Sequence, residues 1–330
     1  MEIINRYVLN KPFSNEGAGT CSWTTANRDG KKLFLKRYNT PKYMPACAEY
    51  CEEWEAKKRR LHEAVAEADD GNLIACKEFF RSETCYYLST ELVETGEFTI
   101  DHVSELPMEK KLILMRSLSH SMMMLEKKGI VHADLKISNL LLKPTIGGYF
   151  ALKIIDFDSG FFEDSPPVDH EDLEGDITFL SPEALMRMCG EEVALTSKID
   201  VFAAGIIFHI FLTGDLPIFD RDSFESVSEA VANSCDVKIS PDVPAEYEHM
   251  IADMLSYDPD QRPTFEEIFE ALTEEMHAKQ AVEEVEAHKE TENEALEIAP
   301  EPQISEAEPK EFQELATSSE NPWMKIAGDL

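Results

Sequence analysis

Asp134, Lys136 and Asn139 fall within one short stretch, Ile130-Val-His132-Ala-Asp134-Leu-Lys136-Ile-Ser-Asn139, directly before the apolar run Leu140-Leu-Leu142. Phosphoryl transfer calls for this set of groups. A carboxylate accepts the proton of an attacking hydroxyl, a cation steadies the γ-phosphate, and an amide oxygen holds Mg²⁺. A second apolar run, Ile154-Ile155, ends in Asp156-Phe157-Asp158, and the Asp156 carboxylate is a further metal ligand candidate.

These residues need a scaffold that aims them at one point. Upstream, Tyr7–Leu9, Cys21–Ala26, Leu33–Leu35, Leu73–Phe80 and Tyr86–Ser89 read as strands, from their β-branched and aromatic content. One helix interrupts them, with Cys47, Cys51, Trp54, Lys58, Leu61 and Val65 on one face at helical spacing. Lys36 ends the strand Lys32-Leu-Phe34-Leu-Lys36, where alternation puts Phe34 and Lys36 on the same side. From Pro107 onward the pattern is mostly helical. The first helix there carries the stripe Leu112, Met115, Leu118, Met122 and Leu125, places Lys127 and Lys128 at its negative end and stops at Gly129.

Composition bounds the rest. The 330 residues are 43% hydrophobic, enough for a substantial core, and carry a formal net charge of −34. That charge opposes binding to nucleic acid or an anionic membrane and favours basic partners. The seven cysteines lack a CxxC pair, which suits packing in a reducing cytosol. No signal-peptide h-region opens the chain, and the longest apolar run, Val201–Leu212, contains His209 and is too short to span a bilayer. A cytoplasmic location is expected. From His277 to Leu330 there are 14 acidic residues against 4 lysines, with prolines at 300, 302, 309 and 322. This stretch reads as an acidic, disordered tail. Its less polar end, Asn321-Pro-Trp323-Met324-Lys-Ile326, is a candidate docking peptide for an unknown partner.

In this setting His132-Ala-Asp-Leu-Lys-Ile-Ser-Asn139 and Asp156-Phe-Asp158 resemble the H-R-D-L-x-x-x-N and D-F-G signatures of eukaryotic-type protein kinases. Other landmarks follow in order. Gly175–Glu183 resembles the A-P-E end of an activation segment, Lys198–Gly205 the start of a buried central helix, and Asp258–Pro263 the D-P-x-x-R-P segment. The resemblance spans about residues 7–276 and implies an α+β, two-lobed fold. A small antiparallel-sheet N-lobe with one helix (about 1–90), a hinge (91–97) and a large, mainly helical C-lobe (98–276) are expected, followed by the tail at 277–330.

The resemblance also implies roles. Asp134 is the catalytic base, Lys136 neutralises the γ-phosphate, and Asn139 and Asp156 hold Mg²⁺. Lys36 binds the α- and β-phosphates of ATP, oriented by an ion pair with Glu55, which lies roughly 80° from the centre of its helix's apolar stripe at about 100° per residue. Gly17 and Gly19 occupy the glycine-rich loop, with two glycines in place of three. Thr90 is the gatekeeper, the backbones of Glu91 and Val93 receive adenine, and Glu97 meets the ribose. Glu183 pairs with Arg262, and Asp200 braces the catalytic loop. The implied activity is transfer of the γ-phosphoryl of ATP to Ser/Thr hydroxyls of protein substrates, since Lys136 matches the Ser/Thr class. Two other readings stay open: a pseudokinase acting as a nucleotide- or partner-binding scaffold, and a kinase of small metabolites.

Five positions depart from the pattern. Asp158 stands for glycine, Phe34 for a small residue above adenine, Asp176 for a threonine and Phe202 for tryptophan, while Ala133 replaces the arginine that normally meets an activation-segment phosphate. Activity independent of activation-segment phosphorylation follows from Ala133. Ser159, Ser165 and Thr178 changed together to Ala are expected to leave the turnover rate near that of the parent, and a hundredfold loss in a steady-state assay would reject the idea.

Overall fold

The computed structural model describes residues 2–16, 21–68, 70–168, 173 and 175–279. Its N-terminal part is a six-stranded antiparallel sheet. The strands are β1 (Ile3–Ile4), β2 (Tyr7–Leu9), β3 (Cys21–Arg28), β4 (Lys31–Tyr38), β5 (Cys76–Ser82) and β6 (Cys85–Glu91), in the spatial order β1-β2-β3-β4-β6-β5. The β3–β4 hairpin closes on Asp29-Gly30, at φ 52° and 77°, the mirror-image turn that an Asp-Gly pair supplies at least strain.

The two faces of β4 separate packing from chemistry. Leu35 joins Tyr7, Leu9, Ala26, Phe80 and Tyr87 in one apolar cluster. On the other face Tyr38 packs with Cys51, Phe79, Tyr86 and Trp54, which seats α1 (Ala48–Ala68) against the sheet. Lys36 lies between Phe34 and Tyr38 on this face, so the strand's period of two aims its ammonium beneath α1. Phe34 stacks on Trp23 with centroids 5.7 Å apart.

The sequence places β5 too early. Leu73 and Ile74 make a short parallel bridge instead, with the Ile74 N–H donating to the Ile154 carbonyl and the Ile154 N–H to the Asn72 carbonyl. This join ties the first half of the chain to the second at the strand that leads into Asp156.

The second half is mainly helical: α2 (Met108–Glu126), α3 (Pro182–Met188), α4 (Lys198–Thr213), α5 (Val227–Ala232), α6 (Ala245–Met254) and α7, at 265–279. Two small antiparallel pairs lie among them, β7 (Ile130–Val131) with β10 (Phe161–Phe162), and β8 (Leu140–Pro144) with β9 (Phe150–Ile154). A single apolar core joins α2, α4, α6 and α7 with Leu61 and Val65 of α1. α7 runs past His277, where the composition turns acidic; the rest of the expected tail, 280–330, including the docking peptide, lies outside the described residues.

α4 is buried on nearly every side. Gly205 lets it touch α6: a Cβ there would come within 3.0 Å of Met254 Cβ. His209, the polar residue in this apolar run, is satisfied on both ring nitrogens. Nδ1 lies 2.7 Å from the Asp215 carbonyl, and Nε2 accepts the Ser240 N–H at 3.1 Å. Gly214, at φ 86°, ends the helix in the left-handed conformation that favours glycine. No described helix is long and apolar enough to cross a membrane.

The expected Glu183–Arg262 pair forms as a two-pronged contact, at 2.6 and 2.9 Å. The fully buried Arg262 also donates to the carbonyls of Ser256, Lys198 and Tyr257. Every hydrogen-bonding direction of the guanidinium is therefore used at a point where α3, α4 and the Asp258–Pro263 turn meet. Removing one partner strands a buried charge, so Arg262→Met is expected to lower stability by ~3–5 kcal/mol. Urea unfolding of the full chain measures this, and a loss under about 1 kcal/mol, typical of an exposed pair, would contradict it.

Candidate active site

The catalytic-loop stretch is held from below and from the side. The Asp200 carboxylate, at the first turn of α4, accepts the main-chain N–H of His132 at 2.7 Å and of Ala133 at 3.0 Å. Burial pushes its pKa up to about 7, against the lowering effect of those two N–H donors. Ala133 sits at φ 63°, a left-handed conformation that this clamp sustains. His132 is fully buried and bridges two segments, with Nε2 3.2 Å from the Ile155 carbonyl and Nδ1 accepting the Asp134 N–H at 3.3 Å. Burial lowers its pKa, which keeps the ring neutral in this bridging role.

Asp134 is oriented by the residues expected beside it. Lys136 Nζ lies 2.9 Å from Asp134 Oδ1, and Asn139 Nδ2 donates to Asp134 Oδ2 at 3.0 Å and to its carbonyl at 2.8 Å. Asn139 thus spends its N–H groups on Asp134, so Oδ1 is the atom with lone pairs to offer a ligand. The Ile155 N–H donates to the Asn139 carbonyl, which brings Asp156 alongside the loop. Asp156 has φ 66°, and its Oδ1 meets Lys36 Nζ at 2.8 Å. A half-exposed carboxylate and an amide oxygen are a sparse, hard donor set, suited to a divalent cation completed by phosphate oxygens and water. Among the described residues no group of three or more His, Cys, Asp or Glu forms a self-sufficient metal cage.

Lys36 departs from expectation. Its ion pair with Glu55 does not form; Glu55 faces Arg59, one helical turn on, at 2.7 Å. Lys36 is instead 2.8 Å from Asp158 Oδ2 as well as from Asp156. Burial would depress the lysine's pKa, but Asp158 and then Asp156 raise it above its ordinary value. Burial likewise would raise Asp158, and Lys36, Lys58 and His62 hold it well below the usual carboxylate range. The physical reason is proximity: Asp158 reaches under the sheet to the face of β4 that carries Lys36, where the Tyr38 hydroxyl donates to it at 2.6 Å. The Lys58 ammonium donates to the Asp158 carbonyl. Sequence reasoning missed Asp158, Tyr38 and Lys58 as a unit. Tyr38 stands two residues after Lys36, hence on its face, and Lys58 interrupts an otherwise apolar helix stripe; both signals were available.

The segment expected to receive adenine is simpler. Thr90 is buried and its hydroxyl donates to the Glu91 carbonyl at 3.0 Å, while Glu91 itself ends β6 paired with Leu33. Val93 is half-buried and Glu97 exposed in the connection that follows. Gly17 and Gly19 lie outside the described residues. Beside Asp134 a small pocket is lined by Leu135, Asp176, Phe179, Leu180 and Ser181. Asp176, in the position of the expected threonine, turns its carboxylate onto the Thr178 N–H at 3.0 Å.

Comparison with known proteins agrees with this arrangement. Residues 18–272 match the protein kinase domain family, which implies use of ATP and a divalent metal in general. A serine/threonine-protein kinase of Drosophila persimilis is 33% identical over 196 residues, covering 57% of this chain and 25% of that protein. One from Drosophila melanogaster is 33% identical over 199 residues, with the same coverage of each. Calcium-dependent protein kinase 19 of Arabidopsis thaliana is 27% identical over 206 residues, 60% of this chain and 36% of its own. The chain therefore spans from a quarter to about a third of the length of these curated relatives. The two-lobed fold, the order of the motifs and the family match lead to one conclusion: the chain belongs to the protein kinase domain family, with a catalytic domain of the eukaryotic type.

Proposed function

We propose that this chain transfers the γ-phosphoryl group of ATP to serine or threonine hydroxyls of protein substrates. The observation that carries the reading is the convergence of Asp134, Lys136 and Asn139 in one hydrogen-bonded loop, with Asp156 and Lys36 in contact beside it. Asp134, its carboxylate aimed by two neighbours, orients the substrate hydroxyl and accepts its proton. Lys136, already at the carboxylate, neutralises charge on the transferring group. Lys36 takes the α- and β-phosphates, and the backbones of Glu91 and Val93 take the adenine. Asn139 Oδ1 and the Asp156 carboxylate would hold Mg²⁺, which would offset charge on the phosphates. The net charge of −34 favours basic substrate segments.

A second reading, a nucleotide- or partner-binding scaffold without turnover, draws on the Lys36 site, where two carboxylates already occupy the ammonium. One assay separates them. The purified chain, labelled ATP, Mg²⁺ and myelin basic protein are incubated beside an Asp134→Asn variant, which keeps the shape and removes the base. Loss of a positioned general base costs ~10²–10⁴ in rate, so strong label with the parent and a hundredfold less with the variant is the expected result. Equal silence from both sinks the phosphotransfer reading.

A further inference from the structure

The carboxylate that positions a phosphate-binding lysine has to satisfy two conditions. It must stay on the lysine when nucleotide and metal arrive, and something must hold it there. Lys36 has two carboxylate neighbours, Asp156 and Asp158, each at 2.8 Å. Only one is free to stay. Asp156 is the half-exposed carboxylate next to Asn139, and a bound Mg²⁺ would claim it. A side chain as enclosed as that of Lys36, 11% exposed, cannot be left without an anion except at a large desolvation cost.

We infer that Asp158 is the positioning residue of Lys36, and that it takes over the work an α1 glutamate would otherwise do; the inference rests on the phosphotransfer reading above. Three of its contacts equip it. Its Oδ2 meets Lys36, its Oδ1 accepts the Tyr38 hydroxyl at 2.6 Å, and its carbonyl accepts the Lys58 ammonium. Tyr38 is on the same face of the same strand as Lys36, so strand and carboxylate are joined at two points two residues apart. Burial and the adjacent Asp158 raise the Tyr38 pKa well above the ordinary phenol value, which keeps its O–H a donor. The polarity of the usual arrangement is thereby reversed. α1 supplies a cation, Lys58, to the segment after β9, in place of an anion to β4. Glu55, engaged with Arg59 on the helix surface, is left out of the circuit.

The test uses the full chain and three variants: Asp158→Asn, Tyr38→Phe and Glu55→Gln. MgATP affinity is measured by calorimetry, and kcat and the KM values for ATP and for protein substrate by steady-state assay. Asp158→Asn is expected to weaken MgATP binding by at least tenfold and to lower kcat at saturating ATP, with KM for the protein substrate within twofold. Tyr38→Phe weakens MgATP binding in the same direction by at least threefold, and Glu55→Gln stays within twofold throughout. A tenfold loss in Glu55→Gln, or an Asp158→Asn variant within twofold of the parent, overturns the inference. Should Asp158→Asn fail to fold, Tyr38→Phe decides, and a change under threefold in its MgATP affinity counts against the proposal. A parent that binds MgATP and transfers nothing defeats the phosphotransfer reading alone, because the binding comparison still judges Asp158. A parent that does not bind MgATP defeats both.

Discussion

A lysine ammonium cannot be enclosed between a sheet and a helix unless anions come with it, and this constraint organises the upper part of the site. Lys36 is only 11% exposed, and burial alone would lower its pKa. The chain resolves the conflict with Asp156 and Asp158, both delivered by the three-residue segment that leaves β9. Because β9 is itself joined to the first half of the chain through Asn72 and Ile74, the anions arrive at a height set by backbone hydrogen bonds. Position is thus fixed by main chain, and charge is placed on top of it.

The lower part of the site uses buried carboxylates differently. Asp200 faces backbone N–H groups and holds a loop in a left-handed conformation it would not adopt alone. Glu183 faces Arg262, whose remaining donors all meet carbonyls. Neither arrangement adds much net stability, because desolvation offsets most of the attraction. Their effect is geometric: each gives one low-energy way for α3 and α4 to meet the loops that carry Asp134 and the small pocket beside it. Fully satisfied buried polar networks of this kind specify a unique packing even where an apolar one would be as stable.

Much of this was legible in the sequence, and the reason is spacing. Asp134, Lys136 and Asn139 are so close in the chain that a single turn must bring them together, and the Ile154–Ile155 strand next to Leu140–Leu142 leaves Asp156 little choice of place. Glu183 with Arg262, and Asp200 with the loop, were legible only through resemblance, since their partners are 67 to 79 residues apart. The Lys36–Glu55 pairing failed for a physical reason. A helical wheel gives the side of α1 on which Glu55 lies, but not whether a competing carboxylate from another segment is closer. Asp158 was legible as an added charge in place of a glycine, but not as a partner of Lys36, because spacing does not show how far that segment reaches under the sheet. β5 was misplaced because Leu73 and Ile74 are as apolar as a strand requires, and periodicity does not distinguish strand from bridge.

The two most conspicuous departures, Ala133 and Asp158, are consistent with each other. An arginine at 133 would hold a phosphate on the activation segment, and a glycine at 158 would give that segment freedom near Lys36. Here the described parts of the segment are fastened by other means. Arg187 of α3 donates to the carbonyls of Pro167 and Val168, β10 pairs with β7, and Glu163 accepts the Ser197 N–H at the start of α4. Asp158 adds an ionic tether to β4 and receives the Lys58 tether from α1. Contacts to main-chain carbonyls need no covalent modification, and an ion pair with Lys36 needs no displacement of α1. These contacts hold the described parts of the segment beside a loop in which Asp134, Lys136 and Asn139 keep their hydrogen bonds with alanine at 133.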